Sequence, residues 1–205
     1  MAANYNNSAW FYDKLARLVY GSELVDAQVY LLKFVPPNSN VLIVGGGTGW
    51  ILEELSKIHS SGLNITYVEV APAMMARSHK RNVAGNKLIF INDAVENVNL
   101  PTKFDVVITP FLFDNFKEKS LVAIFDHIGG MLNEKAIWLT VSFQLTGKWW
   151  QRVMLQSMFV FFKLICGIEA SRLPAIGACF ERKVYKLVGE KNFFKDFIGA
   201  RVYRK

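Results

Sequence analysis

Val41-Leu42-Ile43-Val44 runs directly into Gly45-Gly46-Gly47-Thr48-Gly49, and apolar residues then recur at Ile51, Leu52, Leu55 and Ile58. Four apolar residues in a row suit a parallel strand covered on both faces. Glycines at 45, 47 and 49 permit left-handed backbone angles and let a ligand approach with no Cβ in the way. The spacing after Trp50 is helical. A strand, a tight glycine turn and a helix N-terminus together make a site for a nucleotide-like cofactor. The dinucleotide fingerprint asks for a third glycine three residues after the second. Here it comes after two, so an NAD oxidoreductase is disfavoured.

The next segments supply polar partners. Asn64 to Val70 reads as a second strand, with Glu69 twenty residues after Gly49. An acid at that distance, at the carboxyl edge of a strand, can accept both hydroxyls of a ribose. Pro72 suits the first turn of a following helix. Met74 on that helix offers a polarizable thioether to a flat ring, or simply packs in the core. Lys87 to Ile91 reads as a third strand leading into Asn92-Asp93-Ala94, and Phe104 to Thr109 as a fourth, ending in Pro110-Phe111-Leu112-Phe113-Asp114.

This G-x-G-x-G turn, with Glu69, Ala71, Met74 and Asp93 in order behind it, resembles the class I S-adenosylmethionine-dependent methyltransferase family over roughly residues 40–145. The leading Phe11-Tyr12-Asp13 run is similar to that of small-molecule members, including the ubiquinone/menaquinone C-methyltransferase group. The resemblance implies S-adenosylmethionine as cofactor and S-adenosylhomocysteine as product. It further implies that Gly45, Gly46, Gly47 and Gly49 cradle the cofactor and that Glu69 holds the ribose. Met74 would lie against the adenine and Asp93 would accept from its amino group, with Val70 and Ala94 also binding the cofactor; Tyr12 either closes over the cofactor or packs between helices. Two departures stand out. Asn92 replaces the usual glycine before Asp93, and Ile43 replaces an acid two positions before the first glycine. Without that acid the methionyl amino group is left to solvent, to carbonyls near Gly45, or to Thr109.

Those motifs need a scaffold. Ser8 and Ser22 read as N-caps of helices at about 9–20 and 23–35, stopped by Pro36-Pro37. Strands and helices then alternate, which favours right-handed crossovers and a parallel sheet. Phe116 to Met131 reads as a helix, Ala136 to Phe143 as a fifth strand, and Lys191 to Lys205 resembles the family's antiparallel closing hairpin. The expected fold is therefore α/β, a Rossmann-like doubly wound seven-stranded sheet with an antiparallel C-terminal hairpin. The expected division of the single 1–205 domain is N-terminal helices (1–36), cofactor core (37–145), lid and acceptor helices (146–189) and edge hairpin (190–205).

Lys148 to Ile168 carries Trp149, Trp150, Met154, Met158, Phe159, Phe161 and Phe162, more apolar residues than a half-exposed helix needs. Its uncharged stretch is too short to span a bilayer. It reads as a lid over an acceptor pocket, as a helix lying in a membrane interface, or as core and dimer contact. Monomer and homodimer both remain open.

The formal net charge of +7 is unevenly placed: residues 1–145 hold 12 basic and 13 acidic side chains, residues 146–205 hold 12 and 4. A basic last third can serve RNA, an anionic membrane or an acidic substrate, or be a solvated face. Met1-Ala2-Ala3-Asn4 shows no secretory pattern, and the two cysteines lack metal-type spacing, so a cytoplasmic protein with reduced thiols and no metal is expected. Thr109-Pro110-Phe111-Leu112 lacks the amide or carboxylate that DNA-base methylation places after the fourth strand, so no DNA partner is expected. The acceptor is expected to be a small, apolar or aromatic molecule. No residue identifies itself as the catalytic base; Asp114 and His127 are the candidates, His127 more readily structural. RNA methylation, and a cofactor-binding or membrane-associated protein without chemistry, are the alternatives.

Overall fold

The computed structural model describes residues 12–168 and 170–205. Seven strands form one sheet: β1 (Asn40–Val44), β2 (Ser61–Val68), β3 (Gly85–Ile91), β4 (Phe104–Pro110), β5 (Leu132–Phe143), β6 (Lys186–Phe193) and β7 (Ile198–Arg204). Their order is β3-β2-β1-β4-β5-β7-β6, parallel from β3 to β5, with β7 antiparallel to both β5 and β6. The expected seven-stranded sheet with an antiparallel closing hairpin is what forms. Between and around the strands lie α1 (Tyr12–Tyr20), α2 (Glu23–Leu32), α3 (Trp50–Ile58), α4 (Pro72–Ser78), α5 (Glu118–Gly130), α6 (Trp149–Cys166) and α7 (Ile176–Arg182).

Strand alternation divides the interior into two cores. Val41 and Ile43, Ile65 and Tyr67, Val106 and Ile108, and Leu139 and Val141 face α2, α3 and α6. Leu42 and Val44, Val68, Val107 and Trp138 face α5 and α7. A strand with apolar residues on both faces reads as a continuous run, which is why β1 and β4 were legible. The order reverses between β1 and β4, and in open α/β sheets the crevice at such a point, beyond the carboxyl ends of the strands, is where ligands bind.

Several boundaries differ from the sequence expectation, each for a local reason. Helix α2 ends at Leu32 and not near 35: the residue before a proline is disfavoured in α geometry, and Phe34 and Val35 donate to Leu31 and Leu32 in tighter turns. Ser22 does not cap α2; its backbone is already helical and its hydroxyl makes no capping bond. Strand β5 begins at Leu132, ahead of the expected Ala136, because its first turn of chain is the exposed polar Asn133-Glu134-Lys135. Edge strand β6 begins at Lys186, five residues before the expected hairpin, and is mostly exposed, so no apolar alternation announced it. The Ser8 cap lies outside the described residues.

Candidate functional site

The glycine turn leaves β1 at Gly45 and enters α3 at Trp50. Gly45, Gly47 and Gly49 all have left-handed backbones, with φ of 72, 64 and 76°. Their surroundings differ. A Cβ built on Gly49 would sit 2.5 Å from the Ser78 Cβ, and one on Gly46 would sit 2.4 Å from the Tyr67 ring. Those two glycines are required by packing from beneath. A Cβ on Gly47 would meet nothing within 4 Å, so the turn is open on that side.

Glu69 lies just beyond the end of β2, on the same face as Tyr67, and only 6% of its surface is exposed. Its Oε2 accepts the Gly47 N–H at 3.0 Å and its Oε1 accepts the Ala71 N–H at 2.9 Å. Burial raises its pKa above the ordinary carboxylate range, against the lowering effect of the backbone N–H groups of Ala71, Gly47 and Val70. A carboxylate has about four acceptor positions. Gly47 and Ala71 fill one position on each oxygen, and the Val70 N–H also lies against the group.

Sequence reasoning missed three residues that hold this turn. Tyr67, paired in register with Ile43, donates its hydroxyl to the Gly47 carbonyl at 2.9 Å. Ile43 itself is fully buried in the apolar core and offers the turn no polar group; Tyr67 and Glu69 fix it instead. Arg81 donates through Nε to the Thr48 carbonyl at 3.0 Å and pairs with Glu53 at 3.2 Å. Asn92, where the family has glycine, donates to the Glu69 carbonyl at 2.7 Å and ties the end of β2 to the end of β3. The only local signal was for Tyr67, two residues before Glu69 on the same strand and hence on the same face. Arg81 and Asn92 act across long sequence separations.

The remaining expected site residues divide. Met74 is buried with Ala71 and Ala73 in a small cluster separate from the two sheet cores, at the edge beside Glu69. Val70 and Ala94 are half-buried. Asp93 is exposed, and its Oδ1 accepts from the Ala94 N–H at 2.7 Å and the Asn97 side chain at 2.8 Å, so in this structure it shapes the turn after β3. Thr109 is not available to a ligand. It has no exposed surface, it shares the face of Val107, and its hydroxyl accepts from Trp138 Nε1 at 3.0 Å and reaches the Leu139 carbonyl at 3.5 Å. Alternation along β4 turns it away from the Tyr67 face. Tyr12 opens α1, but its side chain lies outside the described residues. His127 is held by the Val98 carbonyl at 2.9 Å on the α5 side, a structural role.

The chain between β4 and α5 links the turn to a second feature. Leu112 packs beneath Gly45. Phe111 and Asp114, from the same segment, line a cavity of about 330 Å³ walled by α1 and α6, with Phe143, Met158 and Phe162 among its apolar side chains. Phe111 has a left-handed backbone, φ 52°, an uncommon state for an aromatic residue. It is held there by its own N–H on the Val141 carbonyl at 2.7 Å and by the Asn115 side chain on its carbonyl at 2.9 Å. Helix α6 buries Gln151, Leu155, Phe159 and Cys166, and lines this cavity with Met154, Met158 and Phe162. Among the described residues no helix is long and apolar enough to cross a membrane, and no cluster of metal-ligating side chains occurs.

Comparison with known proteins agrees with this arrangement. The family model described as "Methyltransferase domain" matches residues 41–135. No curated protein sequence matches the chain. Among solved structures, the mitomycin 7-O-methyltransferase MmcR superposes with a TM-score of 0.69 at 13% identity, over 89% of this chain and 54% of that one. The chain thus spans about half the length of MmcR. The N-methyltransferase NodS from Bradyrhizobium japonicum WM9 superposes with a TM-score of 0.67 at 13% identity, over 90% of this chain and 97% of that one. The 1,6-didemethyltoxoflavin-N1-methyltransferase of Burkholderia thailandensis, solved with 1,6-didemethyltoxoflavin and S-adenosylhomocysteine bound, gives 0.67 at 12% identity, over 95% and 83%. The chain has the fold of the class I S-adenosylmethionine-dependent methyltransferases, and its residues 41–135 match the family model of a methyltransferase domain.

Proposed function

We propose that this protein transfers a methyl group from S-adenosylmethionine to a small, largely apolar acceptor bound in the cavity under α6. The observation that carries the reading is one shared face of the sheet. Gly47 opens to free space beside the buried Glu69 carboxyl, and the segment 110–116 runs from beneath the glycine turn to the wall of an apolar cavity.

The residues present fit the cofactor. Gly47 has room where any other residue would put a side chain. Glu69 keeps acceptor capacity suited to a ribose diol, and Met74 lies against the same edge. Gly45, Gly46 and Gly49 act by letting the turn pack down on Leu112, Tyr67 and Ser78. Val70 and Ala94 would line the adenine side, with Asp93 reaching the adenine if its present hydrogen bonds exchange. When bound, S-adenosylmethionine supplies an electrophilic methyl carbon on a sulfonium. The protein's share is alignment and exclusion of water, which the aromatic cavity wall and α6 provide. The finding that MmcR and NodS are named O- and N-methyltransferases supports a small-molecule acceptor with a protic atom.

Thermal unfolding with S-adenosylhomocysteine, S-adenosylmethionine and NAD added separately tests this reading. At about a hundredfold excess over its dissociation constant a ligand adds about 2.7 kcal/mol, several degrees for a domain of this size. Stabilisation by the two adenosyl ligands and not by NAD is expected. Gly47→Val should remove it, because the new side chain enters the ligand's space, at some cost in stability since valine is strained at φ 64°; circular dichroism checks that the chain still folds. No shift with either adenosyl ligand, confirmed by calorimetry, would refute the proposal.

A further inference from the structure

The cavity contains a carboxyl group that the glycine turn does not use. Asp114 lies in a short 3-10 turn after β4, 8% exposed, among Phe111, Phe143, Met158 and Phe162. Its Oδ2 accepts the Phe143 N–H at 3.0 Å, and that is the one hydrogen bond its side chain makes among the described residues. The other polar side chains of the wall are already engaged. Tyr20 donates to the Met158 sulfur at 2.6 Å, Ser157 to the Met154 carbonyl at 2.8 Å, and Asn115 to the carbonyls of Phe111 and Leu112. A buried carboxyl facing an apolar space with unfilled acceptor positions is costly unless a ligand fills them.

We propose that Asp114 is the acid–base group of the cavity: it holds the hydroxyl or ring N–H of an otherwise flat, apolar acceptor and takes that proton during methylation. The inference rests on the methyl-transfer reading above and narrows it to an oxygen or nitrogen acceptor. The balance is simple. A lone pair of the acceptor atom forms the new bond to the methyl carbon, and the carbon–sulfur pair leaves with sulfur, which becomes a neutral thioether. The acceptor's proton passes to the Asp114 carboxylate and from there to solvent once the product has left. Desolvation raises the Asp114 pKa to about 7, opposed by its single backbone N–H donor, and a base with such a value is suited to neutral pH. Tyr20 on α1 is the other titratable side chain of the cavity lining, and no Lys, Arg or His belongs to that lining among the described residues.

The test uses binding rather than turnover. 2-Naphthol and naphthalene share a shape and differ by one hydroxyl, so calorimetry with each, across about pH 5–8, isolates the contact. In the native protein 2-naphthol should bind more tightly as Asp114 ionises, by about tenfold, the gain of a hydrogen bond to a charged over a neutral acceptor. Naphthalene should show no such dependence. Asp114→Asn should abolish the pH dependence and leave naphthalene binding in place. Persistence of the dependence in Asp114→Asn, or failure of both probes to bind the native protein, would overturn the assignment. If Asp114→Asn does not fold, difference infrared titration of the native carboxyl decides. Its midpoint should fall with 2-naphthol and not with naphthalene, and an unchanged midpoint overturns the assignment. S-adenosylhomocysteine titrated into the same samples keeps the two readings apart. Its binding, with no naphthol discrimination, removes Asp114 alone, whereas its absence removes the cofactor.

Discussion

At the scale of single residues, the glycine turn and Glu69 were legible because they are local. Positive φ at Gly45, Gly47 and Gly49 follows from residue type, and the reach of Glu69 from its position after a strand. The reasons for the individual glycines were not legible, since Tyr67 and Ser78 come from other elements. Thr109 failed as a ligand residue by parity alone. It shares the face of Val107, not of Ile108, and alternation along β4 already carried that information. Glu69 gives the sharpest residue-scale prediction. With two backbone N–H groups on it already, the carboxyl is fixed before any ligand arrives. Glu69→Ala should weaken S-adenosylhomocysteine binding by roughly 1.5–3 kcal/mol, the range for hydrogen bonds to a charged group. Calorimetry on the variant checks this, and unchanged affinity would take Glu69 out of the site.

At the scale of elements, the parallel core was readable because buried strands are apolar runs, whereas β6 was hidden by its exposure. Helix α6 was recognised by its excess of aromatics, but nothing local showed what seats it. The seat is polar. Gln151, with no exposed surface, accepts the Thr146 N–H at 2.7 Å and donates to the Lys195 carbonyl at 3.4 Å. Lys148 adds bonds to the Lys195 carbonyl at 3.0 Å and to Asp196 at 2.9 Å. These contacts pin the start of α6 to the β6–β7 turn, where Phe194, Lys195 and Asp196 all have left-handed backbones. Three such residues in succession persist only where surrounding bonds determine them. Gln151→Ala leaves buried partners unpaired and should cost about 1–3 kcal/mol in urea unfolding. It should also loosen the cavity wall, seen as weaker naphthalene binding. A loss within about 0.5 kcal/mol, the usual range for surface substitutions, would show that Lys148 and the buried apolar face hold the helix without Gln151.

At the scale of the whole molecule, the two buried carboxyls make the unliganded fold sensitive to pH. Asp114 has its pKa raised to about 7 from 3.8, and Glu69 is raised as well, both chiefly by burial. A raised carboxyl keeps its proton in the folded chain at a pH where the unfolded chain has lost it. The folded state therefore binds more protons across that interval, and stability falls as pH rises. The stabilising contribution is fully present below about pH 4 and is lost as pH climbs through about 7 for Asp114. Between about pH 5 and 8 the loss from Asp114 amounts to roughly 2–3 kcal/mol at about 1.4 kcal/mol per pH unit. Urea unfolding at the two ends of that interval should show this decline, and Asp114→Asn should remove the share that belongs to Asp114. A ligand that donates a hydrogen bond to either carboxylate removes part of the cost of ionisation. S-adenosylhomocysteine should accordingly stabilise the protein more at the alkaline end of Glu69's titration than at the acid end, in the native chain and in Asp114→Asn alike. Equal stabilisation at both ends would mean that its hydroxyls do not reach Glu69, and the ribose contact would have to be sought elsewhere on the turn.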